Sequence, residues 1–102
     1  MTTTVERGFQ LNDGTPGVLG VGGVLSFDTA AAALQEIRAA LAARAVDRLD
    51  LAGVRHSDSA GLACVLAVAA DVARRGQVMQ ITHMPAGMQA LAKVCEVDQL
   101  MS

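Results

Sequence analysis

Short apolar runs alternate along this chain with longer segments in which apolar residues recur at helical spacing, and this alternation constrains the fold most. Two extended runs come first, at 5–11 and 18–25, and turn-forming residues at 12–17 separate them. Strands that alternate with helices pair in parallel through right-handed crossovers. The sequence therefore predicts an α/β fold of order ββαβαβα, with a small mixed sheet and an N-terminal antiparallel hairpin.

Three alanine-rich segments are predicted to be helices. Asp28 is expected to cap the first, over 29–45, because its carboxylate can accept amide hydrogens of the first turn. The second follows Asp58 and ends at the Arg-Arg-Gly run 74–76, and the third begins at Pro85. The residues predicted to face the core are Leu34, Ile37 and Leu41 in the first helix, Leu62, Val65, Leu66, Ala69 and Val72 or Ala73 in the second, and Met88, Leu91, Ala92 and Cys95 in the third.

Two further apolar runs, 49–52 and 78–81, are predicted to be strands, with a polar loop over 53–58 after the first. The run 18–25 contains three glycines, which would cost a helix about 3 kcal/mol, so it too is predicted to be a strand. Its glycines resemble part of a dinucleotide-binding fingerprint, but Leu25 stands where the third glycine belongs. Glycines that let a neighbouring element approach the strand closely are the better interpretation.

Length and composition exclude several classes of protein. A chain of 102 residues has the length of one domain, and we expect a single domain over 1–102. A net charge of -2 and an aromatic content of 2% argue against nucleic acid as a partner, because phosphates attract basic charge and bases stack on aromatic rings. No apolar run reaches about 18 residues and the first residues do not resemble a signal peptide, so we expect neither membrane insertion nor export. Cys64 and Cys95 are expected to be reduced and mostly buried.

Few side chains could carry chemistry. His56, Asp58 and Ser59 are neighbours in one short segment, whereas a catalytic triad draws its members from separate elements. The position two before Ser59 is Ser57, where a nucleophile elbow has glycine. The sequence contains no Cys-x-x-Cys, no His-x-x-x-His, no aspartate-rich loop and no phosphate-binding Gly-Lys-Ser or Gly-Lys-Thr. We therefore expect no enzymatic activity, no catalytic residue, no cofactor and no metal.

The start of the second helix is the most informative segment. Asp58 is a candidate N-cap whose carboxylate would accept the amide hydrogens of Ala60 or Gly61. Ser59 would then occupy the first helical position with its hydroxyl exposed, and a phosphate on it would lie at the positive end of the helix dipole. From these residues alone, a plain helix cap is the simpler interpretation.

The loop Asp58-Ser59-Ala60-Gly61-Leu62, placed between a strand and a helix, resembles the Asp-(Ser or Thr)-small-Gly-Leu loop of the STAS domain, the fold of anti-sigma factor antagonists and sulphate-transporter tails. The resemblance covers residues 5–101. Leu49-Asp50-Leu51, with Val54, is similar to the third strand of that family, and the segments 61–76 and 88–100 most resemble its MlaB-type branch. Members of that branch are small cytoplasmic subunits of bacterial inner-membrane ABC phospholipid transporters, which maintain outer-membrane lipid asymmetry.

The resemblance implies an accessory subunit that binds and stabilises the ATPase subunit (MlaF-like) of such a transporter, in a complex with permease and lipid-binding subunits. We then expect a cytoplasmic protein held at the inner face of the inner membrane through its partner. The alternative is an anti-sigma factor antagonist switched by phosphorylation of Ser59. The resemblance implies that Ser59 occupies the position of a Thr or Ser that faces the ATPase in the MlaB-type branch and is phosphorylated in anti-sigma factor antagonists. The expected partner-binding residues are Ser57, Asp58, Ser59, Ala60, Gly61, Leu62 and Ala63, with Asp71, Arg74 and Arg75 as candidate rim charges.

A second interpretation of the two arginines remains open. Basic residues in the last turn of a helix often only complement the negative end of its dipole. The sequence does not decide between this role and contact with a partner.

Overall fold

The computed structural model describes residues 8–95 and has the predicted order ββαβαβα. The elements are β1 (Phe9–Asn12), β2 (Gly17–Leu25), α1 (Ala30–Ala43), β3 (Val46–Ser57), α2 (Ser59–Arg74), β4 (Gln80–Thr82) and α3 (Ala86–Val94). The strands form one sheet in the order β1-β2-β3-β4. The β1–β2 pair is antiparallel, and β2, β3 and β4 are parallel to one another. The predicted mixed sheet with an N-terminal hairpin is confirmed.

The core lies between one face of the sheet and the helices. Successive parallel strands each lie one position further along the sheet, so right-handed crossovers place the connecting helices on the same face. Alternate residues of β2 and β3 point to that face and are buried there, as at Leu19, Val21 and Leu49. The helices pack most of their predicted stripes against these strands, with Ile37 in α1 and Val65 in α2 fully covered. The predicted core residues Leu34, Leu66, Ala69 and Leu91 are only half-buried. The fully buried large side chains are Leu19, Leu25, Ile37, Leu49, Leu51, Val65, Val68 and Met88.

Strand β3 is much longer than predicted. Residues 53–57, expected to be part of a polar loop, continue the strand, because β2 pairs with them in parallel as far as Leu25 opposite Ser57. Val54 is buried, whereas Arg55 and His56 are exposed, and these polar side chains led to the prediction of a loop. The predicted strand at 78–81 is also displaced, since β4 pairs with β3 only over Gln80–Thr82.

Thr29, and not Asp28, is the N-cap of α1. The hydroxyl of Thr29 donates a hydrogen bond to the carbonyl oxygen of Val24 at 2.8 Å and accepts one from the backbone N–H of Ser26 at 2.9 Å. This buried hydroxyl closes the turn before the helix, so the chain enters α1 one residue later than predicted, and Asp28 stays exposed.

The two cysteines differ in burial. Cys64 is buried as predicted, and burial raises the pKa of its thiol. The prediction of a buried Cys95 is wrong, because α3 ends at Val94 and Cys95 is its exposed C-cap. Met88 and Ala92 form the buried line of that helix. The predicted start of the first strand at 5–7 and the part of the family resemblance beyond 95 lie outside the described residues.

Candidate partner-binding site

The start of α2 has the geometry that the sequence predicts. One carboxylate oxygen of Asp58, Oδ1, accepts hydrogen bonds from the backbone N–H groups of Ala60 at 2.9 Å and Gly61 at 3.2 Å. Ser59 is the first helical residue and its side chain is exposed. Asp58 therefore already accepts the hydrogen bonds of the Ala60 and Gly61 N–H groups, and the exposed Ser59 hydroxyl lies at this capped end of the helix.

The second carboxylate oxygen of Asp58 joins this helix start to another loop. Asp58 Oδ2 accepts a hydrogen bond at 3.1 Å from the backbone N–H of Phe27, which lies between β2 and α1. The amide of Phe27, and then those of Gly61 and Ala60, lower the pKa of Asp58 below its ordinary value, although desolvation opposes this shift. One ionised side chain thus holds two loops together at the same end of the sheet.

Phe27 is a candidate functional residue that the sequence analysis missed. Its side chain is 84% exposed, although it is one of only two phenylalanines in a chain with no tryptophan or tyrosine. Exposed aromatic side chains beside a small polar surface are typical anchors of protein interfaces. The sequence feature that could have identified it is an aromatic residue in the short turn between a predicted strand and the N-cap of a predicted helix. We call the exposed and half-buried residues at this end the Ser59 surface; they are Phe27, Ser57, Asp58, Ser59, Ala60 and Ala63.

Gly61 and Leu62 belong to the packing beneath this surface. An added Cβ at Gly61 would lie 2.2 Å from the carbonyl oxygen of Leu25, so only glycine allows α2 to start this close to the end of β2. Leu62 is buried in the core. Both residues were predicted to bind a partner, but the structure places their side-chain positions inside, where they position Ser59.

The charged residues predicted at the rim lie at the other end of α2. Arg74 is fifteen positions after Ser59, which corresponds to about 22 Å along the helix. Asp71 is buried and not an exposed rim charge, because Arg38 of α1 and Arg74 both bind its carboxylate. Arg38 is the main cause of the lowered pKa of Asp71. Arg75 is the exposed C-cap of α2.

The described residues also limit the chemistry of the site. Within 8–95, no three metal-binding side chains come close enough to hold an ion. No helix in this part of the chain is long and apolar enough to cross a bilayer. His56 is exposed, and Asp58 uses both carboxylate oxygens on backbone amides, so these residues are not arranged around Ser59 as a triad is.

Comparison with known structures supports the architecture. The anti-sigma factor antagonist SpoIIAA in its unphosphorylated form superimposes with a TM-score of 0.69 at 16% sequence identity, over 92% of this chain and 85% of that one. The Bacillus cell fate determinant SpoIIAA in the phosphorylated form gives a TM-score of 0.66 at 17% identity, over 92% and 88%. At these identities the similarity establishes the fold. No curated protein sequence matches this chain significantly.

In this chain the shared fold places an exposed serine at the start of the second helix. A family model described as "Mlab, STAS domain" matches residues 10–102. The match spans nearly the whole chain, and the chain therefore belongs to the STAS family and is similar to MlaB. STAS domains mediate protein–protein interactions.

Proposed function

We propose that this protein is an accessory subunit that binds and stabilises the ATPase of an inner-membrane ABC phospholipid transporter, the kind that maintains outer-membrane lipid asymmetry. The observation that carries the proposal is the Ser59 surface, in which Asp58 fixes an exposed serine and an exposed phenylalanine on two joined loops. The match to the MlaB-type family model supports the choice of an ABC transporter ATPase (MlaF-like) as the partner.

The chemistry of the surface suits stable docking rather than catalysis. Ala60 and Ala63 are small, so a partner backbone can approach the first turns of α2. Phe27 offers a large apolar side chain that a pocket in the partner would cover, and Ser59 offers one small polar contact at the centre. Because the loops are already held by hydrogen bonds, little ordering is needed on binding. Binding the folded ATPase would then stabilise it by mass action.

The test is co-expression with the ATPase of a phospholipid transporter from the same cells. We expect a stoichiometric complex that survives size-exclusion chromatography, and an ATPase whose melting temperature rises with the concentration of this chain. An ATPase that elutes alone and melts at the same temperature with and without this chain would refute the proposal.

The second candidate function is that of an anti-sigma factor antagonist switched by phosphorylation of Ser59. The exposed hydroxyl of Ser59 at the start of α2 favours it, since a kinase can reach this group and the helix dipole would stabilise a phosphate. The phosphate would also lie beside the ionised carboxylate of Asp58, which holds the loops of the Ser59 surface. Repulsion between the two negative groups would disturb these loops and so weaken the binding of a partner.

Intact-mass measurement separates the two functions. Protein purified from its own cells should carry no phosphate if it is a constitutive transporter subunit. In the signalling function a kinase-dependent mass increase disappears in Ser59→Ala, this variant stays bound to its partner, and Ser59→Asp releases it. In the transporter function Ser59→Ala retains most of the ATPase binding, because only one small polar contact is lost.

A further inference from the structure

A cavity of about 450 Å³ opens at the end of the molecule opposite to Ser59. It lies where α1 and α2 end and where β2 and β3 begin. Leu41 and Val72 line it and are buried, and Val46 is half-buried. Val78, also in its lining, is 85% exposed. Val78 and the half-buried Val46 therefore supply the apolar surface that no described residue covers and that an apolar side chain from another molecule could contact.

The same cavity carries charge at its rim. Arg44 lines it, and its Nη2 donates a hydrogen bond of 2.7 Å to the carbonyl oxygen of Val18, which holds the guanidinium in place. Arg75 is exposed at the rim, and its charge helps to lower the pKa of Asp71, although no hydrogen bond fixes its guanidinium among residues 8–95. Asp47 adds one carboxylate, which is packed near Gly17, where an added Cβ would lie 3.1 Å from Asp47 Oδ1. Two cations, one anion and an apolar floor therefore meet at one opening.

These three features together select the class of ligand. A free phosphate would leave the apolar floor uncovered and would be repelled by Asp47. A lipid chain would form no bond with either guanidinium group or with the carboxylate. An extended peptide satisfies all three, because an apolar side chain covers the floor, a flanking carboxylate pairs with Arg44 or Arg75, and a backbone N–H donates to Asp47.

We propose that this cavity binds an extended segment of a partner protein in which acidic side chains flank an apolar one. The site is separate from the Ser59 surface, since the length of α2 lies between them. Arg75 therefore belongs to this second site and not to the rim of the first. A partner with such a segment on a tether would contact the STAS domain at both ends.

The test is titration of the full ¹⁵N-labelled chain with three capped peptides, followed by amide chemical shifts. The probe is Gly-Glu-Leu-Glu-Gly, and the controls are Gly-Lys-Leu-Lys-Gly and Gly-Glu-Ser-Glu-Gly. We expect saturable shifts that cluster at Gly17, Asp47 and Gln77, which line the cavity. Affinity should fall at least about tenfold with either control, because one loses the charge-assisted bonds and the other the apolar contact.

Variants locate the site and separate it from the proposed function. Arg75→Glu should weaken binding of the probe at least about tenfold by replacing attraction with repulsion, and Val78→Ser about threefold by removing apolar contact. Arg55→Glu, the same charge reversal on the exposed part of β3, and Ser59→Arg should leave it unchanged. Three results would overturn the proposal: no saturable shift at millimolar probe, equal binding of the lysine peptide, or displacement of the probe by inorganic phosphate at constant ionic strength. Each of them is independent of the result for ATPase binding.

Discussion

Replacing Gly61 by alanine should destabilise the fold and displace the Ser59 surface. The added Cβ would lie 2.2 Å from the carbonyl oxygen of Leu25, against an ordinary C···O contact of about 3.3 Å, so α2 or the end of β2 must move by about 1 Å. Overpacking of this kind costs about 1–3 kcal/mol. The movement also stretches the hydrogen bond from Asp58 N to Leu25 O, worth about 1 kcal/mol, and the bond from Phe27 N to Asp58 Oδ2.

The gain in helix propensity from Gly to Ala, about 1 kcal/mol, offsets part of this cost. The expected net loss is about 1–3 kcal/mol, which should lower the melting temperature by about 5–20 °C in a domain of this size. Gly87→Ala is the matched control, because Gly87 also lies in a helix but has no atom within 4 Å of an added Cβ. It should stabilise the protein by about 0.5–1 kcal/mol in urea denaturation. If both variants gained stability equally, the close approach of α2 to β2 would be wrong.

Three further predictions concern single side chains. Phe27→Ala should weaken partner binding at least about tenfold with little change in stability, whereas Val94→Ala, at an equally exposed apolar position, should not; equal affinities in a binding titration would remove Phe27 from the interface. Ion pairing lowers the pKa of Asp71, so the ionised carboxylate stabilises the folded protein above pH 3.8, its ordinary pKa, and this stabilisation is lost as pH falls through the pKa of the folded state. In Asp71→Asn the free energy of unfolding should therefore fall less steeply with acid than in the native chain. An unaltered dependence of stability on pH would contradict this. In the native protein, Cys95 should react rapidly with a thiol reagent and Cys64 slowly, and mass spectrometry of the labelled peptides would detect a reversed order.

The element order and the helix cap at Asp58 were predictable because both are local. Periodicity distinguishes strands from helices within a window of about ten residues, and the Asp58 cap involves only the next three residues. The N-cap of α1 was harder to predict, because Thr29 takes this position through a hydroxyl that bonds both to Ser26 and back to Val24. Local patterns alone do not reveal that second bond.

The errors arise from contacts between distant parts of the chain. Asp71 is buried and binds Arg38, which lies on another helix and 33 positions away in sequence. Phe27 joins the site through a bond to Asp58 that spans 31 positions. Strand β3 extends to Ser57 because β2 pairs with it that far, although its exposed residues are polar. In each case tertiary pairing overrides what the local pattern indicates.

The central claim is that a partner ATPase covers Ser59, and the most direct test compares its affinity for Ser59→Arg and for Ala90→Arg. Both positions are exposed and helical, so the two variants should fold with stabilities within about 1 kcal/mol of the native chain. In a titration with the purified ATPase, Ser59→Arg should bind at least about a hundredfold more weakly, because an unpaired charge is forced into the interface. Ala90→Arg should bind as the native chain does. Native-like affinity of Ser59→Arg would contradict the account.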